Sequence, residues 1–208
     1  MRNRCSRGEI AVALTLSSTT SFYKLAKETG VVSYATIEDY VDILEKMFVL
    51  TRLDCFDVGQ RRVDYKKNRK FYFSDPFVRY VLLAKALGFL EDPFNFVKRN
   101  FFTEEMQSVW SELVTVGLLA RFYPQVYYGK LKDTEIDIVA RKKGVYTFCE
   151  VKYRSGVKVE DFQWMEDLLK KEERLLVITK RDFESKGKIL LIPREVFWVR
   201  FEEFLAME

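Results

Sequence analysis

Thr134-Glu135-Ile136-Asp137-Ile138-Val139-Ala140-Arg141-Lys142-Lys143-Gly144-Val145-Tyr146-Thr147-Phe148-Cys149-Glu150-Val151-Lys152 reads as two apolar-rich strands around a Lys-Gly pair. If Lys143-Gly144 closes a two-residue hairpin, Lys142 faces Val145 and every later pair keeps the same residue sum. Asp137 then faces Glu150, and Glu135 faces Lys152. Strand side chains alternate, so these four charged residues share one face. Directly opposed Cβ atoms lie about 5 Å apart, close enough for two carboxylates to hold one divalent cation between them. Without a cation or an ammonium beside it, such a pair repels itself. The hairpin is therefore a candidate hard-cation site made of Asp137 and Glu150, with Glu135 expected to pair with Lys152 and hold it. A surface ladder of cross-strand ion pairs, worth roughly 0.2–1 kcal/mol each, is the alternative. A ladder does not explain why the charges interrupt strands otherwise built from Ile, Val, Phe and Cys.

The flanking sequence extends this hairpin into an α-β-β-β-α-β order. Thr103 is placed to cap a helix that runs to Phe122, where Tyr123-Pro124 ends it. Tyr127-Tyr128 begins a strand, Glu135 to Ala140 forms a second and Val145 to Tyr153 a third. Val159 to Lys171 reads as an amphipathic helix, Leu175 to Thr179 as a fully apolar buried strand, and Lys188 to Ile192 as one more. On the first helix, Val109, Val116 and Leu119 make an apolar stripe around Glu112, which predicts a partly buried carboxylate in need of a cationic partner.

Toward the N-terminus the pattern is that of a winged helix-turn-helix over residues 1–75. A helix is expected over Glu9 to Leu16. Ser21 then caps Phe22 to Glu28, Gly30 supplies the turn, and Ser33 caps a third helix carrying Ile37, Tyr40, Val41, Leu44 and Met47 at helical spacing. Phe48 to Phe56 and Lys70 to Ser74 read as the strands of the wing. Arg61, Arg62, Lys66, Lys67, Arg69 and Lys70 form a basic stretch suited to phosphates. The third helix, however, exposes Glu38, Asp39, Asp42 and Glu45, which a DNA groove would repel. A role in packing or assembly, with the helix facing protein, is therefore the competing reading. Residues 76–102 form a Phe-rich helical connector punctuated by Pro76 and Pro93, and residues 103–208 form the second domain.

Composition narrows the chemistry. The 208 residues contain no histidine, which removes serine-histidine triads, histidine-ligated zinc and histidine general bases. Cys5, Cys55 and Cys149 lack paired metal spacing and read as isolated thiols, Cys149 as a small core residue. Hydrophobic residues make up 48% and charged residues 32%, as in a charged, globular protein, and the net charge of +4 permits nucleic-acid binding without requiring it. No apolar run reaches the ~20 residues of a membrane span, and no secretion signal is discernible, so a cytoplasmic location is expected. Abundant Glu, Lys and Arg beside few Asn and Gln suggest a thermophile.

The strand order, with an acid on the second strand and Glu150-Val151-Lys152 on the third, resembles the PD-(D/E)XK nuclease fold of restriction endonucleases and archaeal Holliday-junction resolvases over about Thr103 to Pro193. The chain as a whole resembles the C-terminal region of a family of archaeal and bacterial P-loop ATPases. Tyr40-Val41-Asp42-Ile43-Leu44-Glu45-Lys46-Met47-Phe48-Val49-Leu50, Lys70-Phe71-Tyr72-Phe73-Ser74-Asp75-Pro76-Phe77 and the hairpin motifs carry that likeness. No Gly-x-x-x-x-Gly-Lys-Ser/Thr loop occurs in these residues, so the likeness is expected to leave out the ATPase domain, and ATP hydrolysis by these residues is not supported. A truncated relative, a split gene product and an independent module all fit.

The resemblance implies a mixed α/β, restriction-endonuclease-like domain with a central mixed sheet after the winged helix. It implies that Asp137 and Glu150, with the carbonyl of Val151, bind Mg2+ or Mn2+, and that Lys152 stabilises the phosphate or orients water. It further implies Glu112 as a fourth site member and Gln163 as a substrate contact. Metal-dependent DNA cleavage is the expected activity, with a homodimer as one assembly that it permits. A non-catalytic module that binds nucleic acid or protein, as part or partner of a P-loop ATPase, is the alternative.

Overall fold

A computed structural model describes residues 18–31, 33–86 and 93–206. Cys5 and the helix expected over Glu9 to Leu16 lie outside the described residues. The chain divides into two compact units, one made of residues up to Cys55 together with Val63–Gly117, the other of Phe56–Arg62 together with Leu118 onward. The class is mixed α/β, with a mostly helical N-terminal part and a central mixed sheet.

In the first unit, α1 (Phe22–Thr29) starts where the Ser21 hydroxyl accepts the Lys24 amide at 3.1 Å, and it stops at Gly30, whose φ of 70° closes a left-handed cap. Ser33 caps α2 (Tyr34–Lys46) by accepting the Ala35 amide at 3.2 Å. Strand β1 (Leu50–Asp57) pairs antiparallel with β3 (Lys70–Phe73), from Leu50 opposite Phe73 to Leu53 opposite Lys70; the short β2 (Arg62–Asp64) lies between them in sequence. Helices α3 (Pro76–Ala86), α4 (Pro93–Asn100) and α5 (Glu104–Phe122) follow, the residues of α5 from Leu118 on belonging to the second unit. Thr103 caps α5 as expected, its hydroxyl accepting the Met106 amide.

The second unit is organised on strands β4 (Gln125–Leu131), β5 (Thr134–Lys142), β6 (Val145–Lys152), β7 (Arg174–Thr179), β8 (Glu184–Lys186) and β9 (Ile189–Pro193), in the spatial order β4-β5-β6-β7-β9-β8. Pairs β4–β5, β5–β6 and β8–β9 are antiparallel, and β6–β7 and β7–β9 are parallel. The central strands Val145–Lys152 and Arg174–Thr179 bury both faces, Phe148, Cys149, Leu175, Leu176 and Val177 being fully inaccessible, which is why they read as nearly continuous apolar runs. Gly129 sits at an irregularity between β4 and β5, where a Cβ would stand 2.9 Å from both Ile136 and Val139 side-chain carbons.

The amphipathic helix expected over Val159 to Lys171 is much shorter. It is a 3-10 turn (Val159–Phe162) running into a single turn, α6 (Gln163–Glu166). Side chains from a later segment fix its entry: Asp182 accepts the Gly156 and Val157 amides, and Glu184 accepts that of Val159. Glu173 accepts the Lys170 amide at 2.9 Å, claiming the region where the helix was expected to continue. Strand β8 and the final helix α7 (Arg194–Ala206) extend the unit beyond the anticipated order.

Candidate functional site

The β5–β6 hairpin has the expected register, from Lys142 opposite Val145 to Ile138 opposite Cys149. Its turn places Lys143 at φ 50° and Gly144 at φ 86°, the pair of positive dihedrals that a type I′ turn requires. The ladder ends at Ile138–Cys149, just before the candidate acids. There Asp137 leaves the pattern, and its Oδ2 accepts the Val151 amide at 2.9 Å.

This bond brings three groups together. Lys152 Nζ is 2.6 Å from Glu150 Oε2 and 3.9 Å from Asp137 Oδ2. The Glu150 side chain is only 5% exposed, against 20% for Asp137 and 37% for Lys152, so the cluster is shut at its glutamate and open at its lysine. Burial, then the adjacent Asp137 carboxylate, push the Glu150 carboxyl up to about 7, and Lys152 pulls in the opposite direction. The adjoining Asp137 carboxylate thus favours the protonated form of Glu150. Burial likewise drives the thiol of Cys149 well upward, consistent with a core residue rather than a nucleophile.

The other expected members sit differently. Glu135 is registered opposite Lys130 of β4, and the β5–β6 ladder does not continue to a Glu135–Lys152 rung; the ammonium of Lys152 is drawn instead to the two acids. Val151 is 9% exposed and registered opposite Ile178, its amide engaged by Asp137. Gln163 is exposed at the start of α6, where it donates to Glu166 at 3.1 Å. Glu112 belongs to the first unit. It accepts from the Tyr72 hydroxyl at 2.6 Å and lies 3.6 Å from Lys70 Nζ, so the cationic partner that its apolar surroundings demand is Lys70.

That pairing corrects one expectation. Lys70 is 1% exposed and cannot reach a phosphate, because β3 buries every one of its residues. Of the remaining basic stretch, Arg62, Lys66 and Lys67 are exposed. Arg61 donates to Glu173 and lies over the Tyr146 ring, and Arg69 donates to Asp54 and covers Phe22. On α2, Asp42 and Glu45 are engaged by Arg52 of β1, each at 3.1 Å, so half of the acidic character expected on that helix is neutralised within the unit.

Two adjoining carboxylates, of which Glu150 keeps its proton toward neutral pH, are a donor set that a hard divalent cation fits, since it prefers anionic oxygen and takes that proton's place as pH rises. Among the described residues no group of three or more His, Cys, Asp or Glu is arranged to hold a metal, so the remaining positions would fall to water, backbone oxygen or substrate.

The sequence chemistry missed a second cluster in the same unit. Arg194 stands 4.2 Å from the Tyr153 ring centre and 5.1 Å from that of Trp198, and Lys180 is 5.3 Å from Tyr153. Tyr153, Lys180 and Arg194 each directly follow the last residue of a parallel strand, a pattern visible only once β6, β7 and β9 are known to pair.

A family model described as a domain of unknown function (DUF8612) matches residues 10–87. No curated protein matches the chain. Among solved structures, the chain is similar to protein VC1899 from Vibrio cholerae, with 11% identity, 97% of this chain and 51% of that one covered, and a TM-score of 0.31. The chain thus spans about half the length of that structure. No helix among the described residues is long and apolar enough to cross a membrane.

Proposed function

We propose that the protein is a metal-dependent DNA endonuclease whose site is Asp137, Glu150 and Lys152, in a restriction-endonuclease-like domain that follows a winged helix. The observation that carries this reading is the convergence of a buried Glu150, the adjoining Asp137 and Lys152, 2.6 Å from the glutamate and 3.9 Å from the aspartate, at the point where the hairpin ladder stops. Asp137 and Glu150 would hold Mg2+ or Mn2+, which supplies charge neutralisation at the phosphate and a more acidic bound water. Asp137 is oriented by the Val151 amide, so its carboxylate is fixed before any cation arrives. Lys152, the most exposed of the three, is the group positioned to meet a scissile phosphate and offset its charge.

Incubation of plasmid and linear DNA with the protein and Mg2+ or Mn2+ tests this. Nicking or cleavage is expected, with loss of activity in Asp137→Ala and Glu150→Ala while both variants keep the parent circular dichroism spectrum. Cleavage retained by both folded variants rejects the site.

A second reading, a non-catalytic module binding protein or nucleic acid as part or partner of a P-loop ATPase, is favoured by one observation. Tyr40 and Ile43 of α2 and Met47 at its C-terminal cap are 54%, 51% and 63% exposed, an apolar helix face better suited to protein than to a phosphate-lined groove. If the partner is a protein, no DNA binding is expected even at low salt.

A further inference from the structure

The carboxyl ends of the three parallel strands of the second unit are in register, Lys152 opposite Thr179 and Thr179 opposite Pro193. Each strand is followed at this edge by charged or aromatic residues, Tyr153-Arg154 after β6, Lys180-Arg181 after β7 and Arg194 after β9. Neighbouring strands lie about 4.8 Å apart, so Lys152, Lys180 and Arg194 occupy roughly 10 Å of one sheet edge. The aromatic rings preorganise two of these cations, with Lys180 and Arg194 both over Tyr153 and Arg194 also over Trp198. Holding a flexible cation against a ring reduces the rotamer entropy it loses on binding an anion. Acids stand at this edge as well: Glu150 and Asp137 hold Lys152 at 2.6 and 3.9 Å, and Asp161 pairs with Arg154 at 4.0 Å. Asp182 accepts two backbone amides, Asp161 also accepts the Lys158 amide, and Glu195, 59% exposed, meets the 11% exposed Arg194 at 2.8 Å, an ion pair whose acid is in water and so contributes little.

We infer that this edge is a binding surface for the phosphodiester backbone of a nucleic acid, with Lys180 and Arg194 meeting its phosphates and Tyr153 as the residue that positions both. The inference rests on the nucleic-acid reading of the Asp137–Glu150–Lys152 site and names where the strand beyond the scissile phosphate is held. It assigns no catalytic role to Lys180, Arg194 or Tyr153.

Fluorescence anisotropy of labelled DNA, single-stranded and duplex, measured in chelator between about 50 and 200 mM salt, tests the surface independently of cleavage. In Lys180→Ala the slope of log K against log salt falls by about 0.9 on duplex or about 0.7 on single strands, the change that follows when the protein neutralises one phosphate fewer. Arg194→Gln does the same provided its melting curve matches the parent. Lys186→Ala, on β8, removes an exposed ammonium that pairs with Glu160 and leaves the slope unchanged. Parent slopes in both Lys180→Ala and Arg194→Gln, or absence of DNA binding at low salt, overturn the inference. Reduced slopes in a protein that never cleaves DNA with Mg2+ uphold the surface and reject the nuclease. Cleavage by the parent with unchanged slopes in both variants does the reverse.

Discussion

The Asp137 carboxylate accepts the amide of Val151, fourteen residues along the chain, at 2.9 Å. One bond thus anchors the acid of β5 to the backbone beside Glu150, and the electrostatics of the cluster follow from it.

The first consequence is a pH dependence of stability. Glu150 titrates near 7 in the folded protein against 4.5 as its ordinary value, so the folded state binds the additional proton between those limits. Unfolding then releases a proton, and stability falls as pH rises from about 4.5 to 7. One pKa unit corresponds to about 1.4 kcal/mol, which sets an upper scale of roughly 3 kcal/mol for this group. Urea melts at intervals of pH should show the decline in the parent and lose most of it in Glu150→Gln. Mg2+ should raise the melting temperature more at pH 8 than at pH 5, because the cation competes with the proton on Glu150.

Asp137 and Lys152 act on Glu150 with opposite signs. Asp137→Asn removes a negative neighbour and should move the Glu150 titration down, whereas Lys152→Met removes the ammonium and should move it up. Carboxyl-carbon NMR of the two variants checks both directions, and equal shifts of one sign would contradict the geometry.

Glu112 carries a different liability. Truncation in Glu112→Ala deprives Lys70, at 1% exposure, of the carboxylate that offsets its charge, and breaking such a buried pair costs about 3–5 kcal/mol. Tyr72→Phe removes only one hydrogen bond and should cost about 1–3 kcal/mol. The double change Lys70→Met/Glu112→Leu should recover much of the Glu112→Ala loss. Denaturant midpoints separate these outcomes, and a Glu112→Ala protein as stable as the parent would show that Lys70 finds another partner.

Gly129→Ala should destabilise through crowding. The added methyl meets Ile136 and Val139 at 2.9 Å and Val58 at 3.3 Å, and overpacking of this kind costs about 1–3 kcal/mol. A drop of roughly 2–4 °C in melting temperature per kcal/mol is expected by calorimetry.

What the sequence disclosed depends on how local the determining contact is. The Lys143-Gly144 turn and its alternating flanks set the hairpin register within nineteen residues, and Ser21 and Ser33 announced their helices through a hydroxyl acting three or two residues away. The shortened helix at Val159–Glu166 was illegible because its entry is fixed by Asp182 and Glu184, more than twenty residues later. Lys70 misled for a similar reason: beside Arg69 it reads as part of a basic stretch, and only the Glu112 carboxylate, on a helix forty-two residues on, accounts for its burial. The cationic edge required the parallel pairing of β7 and β9, which no periodicity in Leu175–Thr179 specifies.

The hairpin turn also sets an order of events. Ile138 and Cys149 meet across eleven residues, whereas Glu150 and Val177 meet across twenty-seven and depend on a crossover. Antiparallel hairpins close in about 1–10 μs, while contacts of larger sequence separation wait on a larger loss of chain entropy. During folding, the two carboxylates should therefore come together while still in water, and the desolvation that lifts Glu150 should follow when β7 docks. Cations present at that stage would meet the acids before the core seals around them.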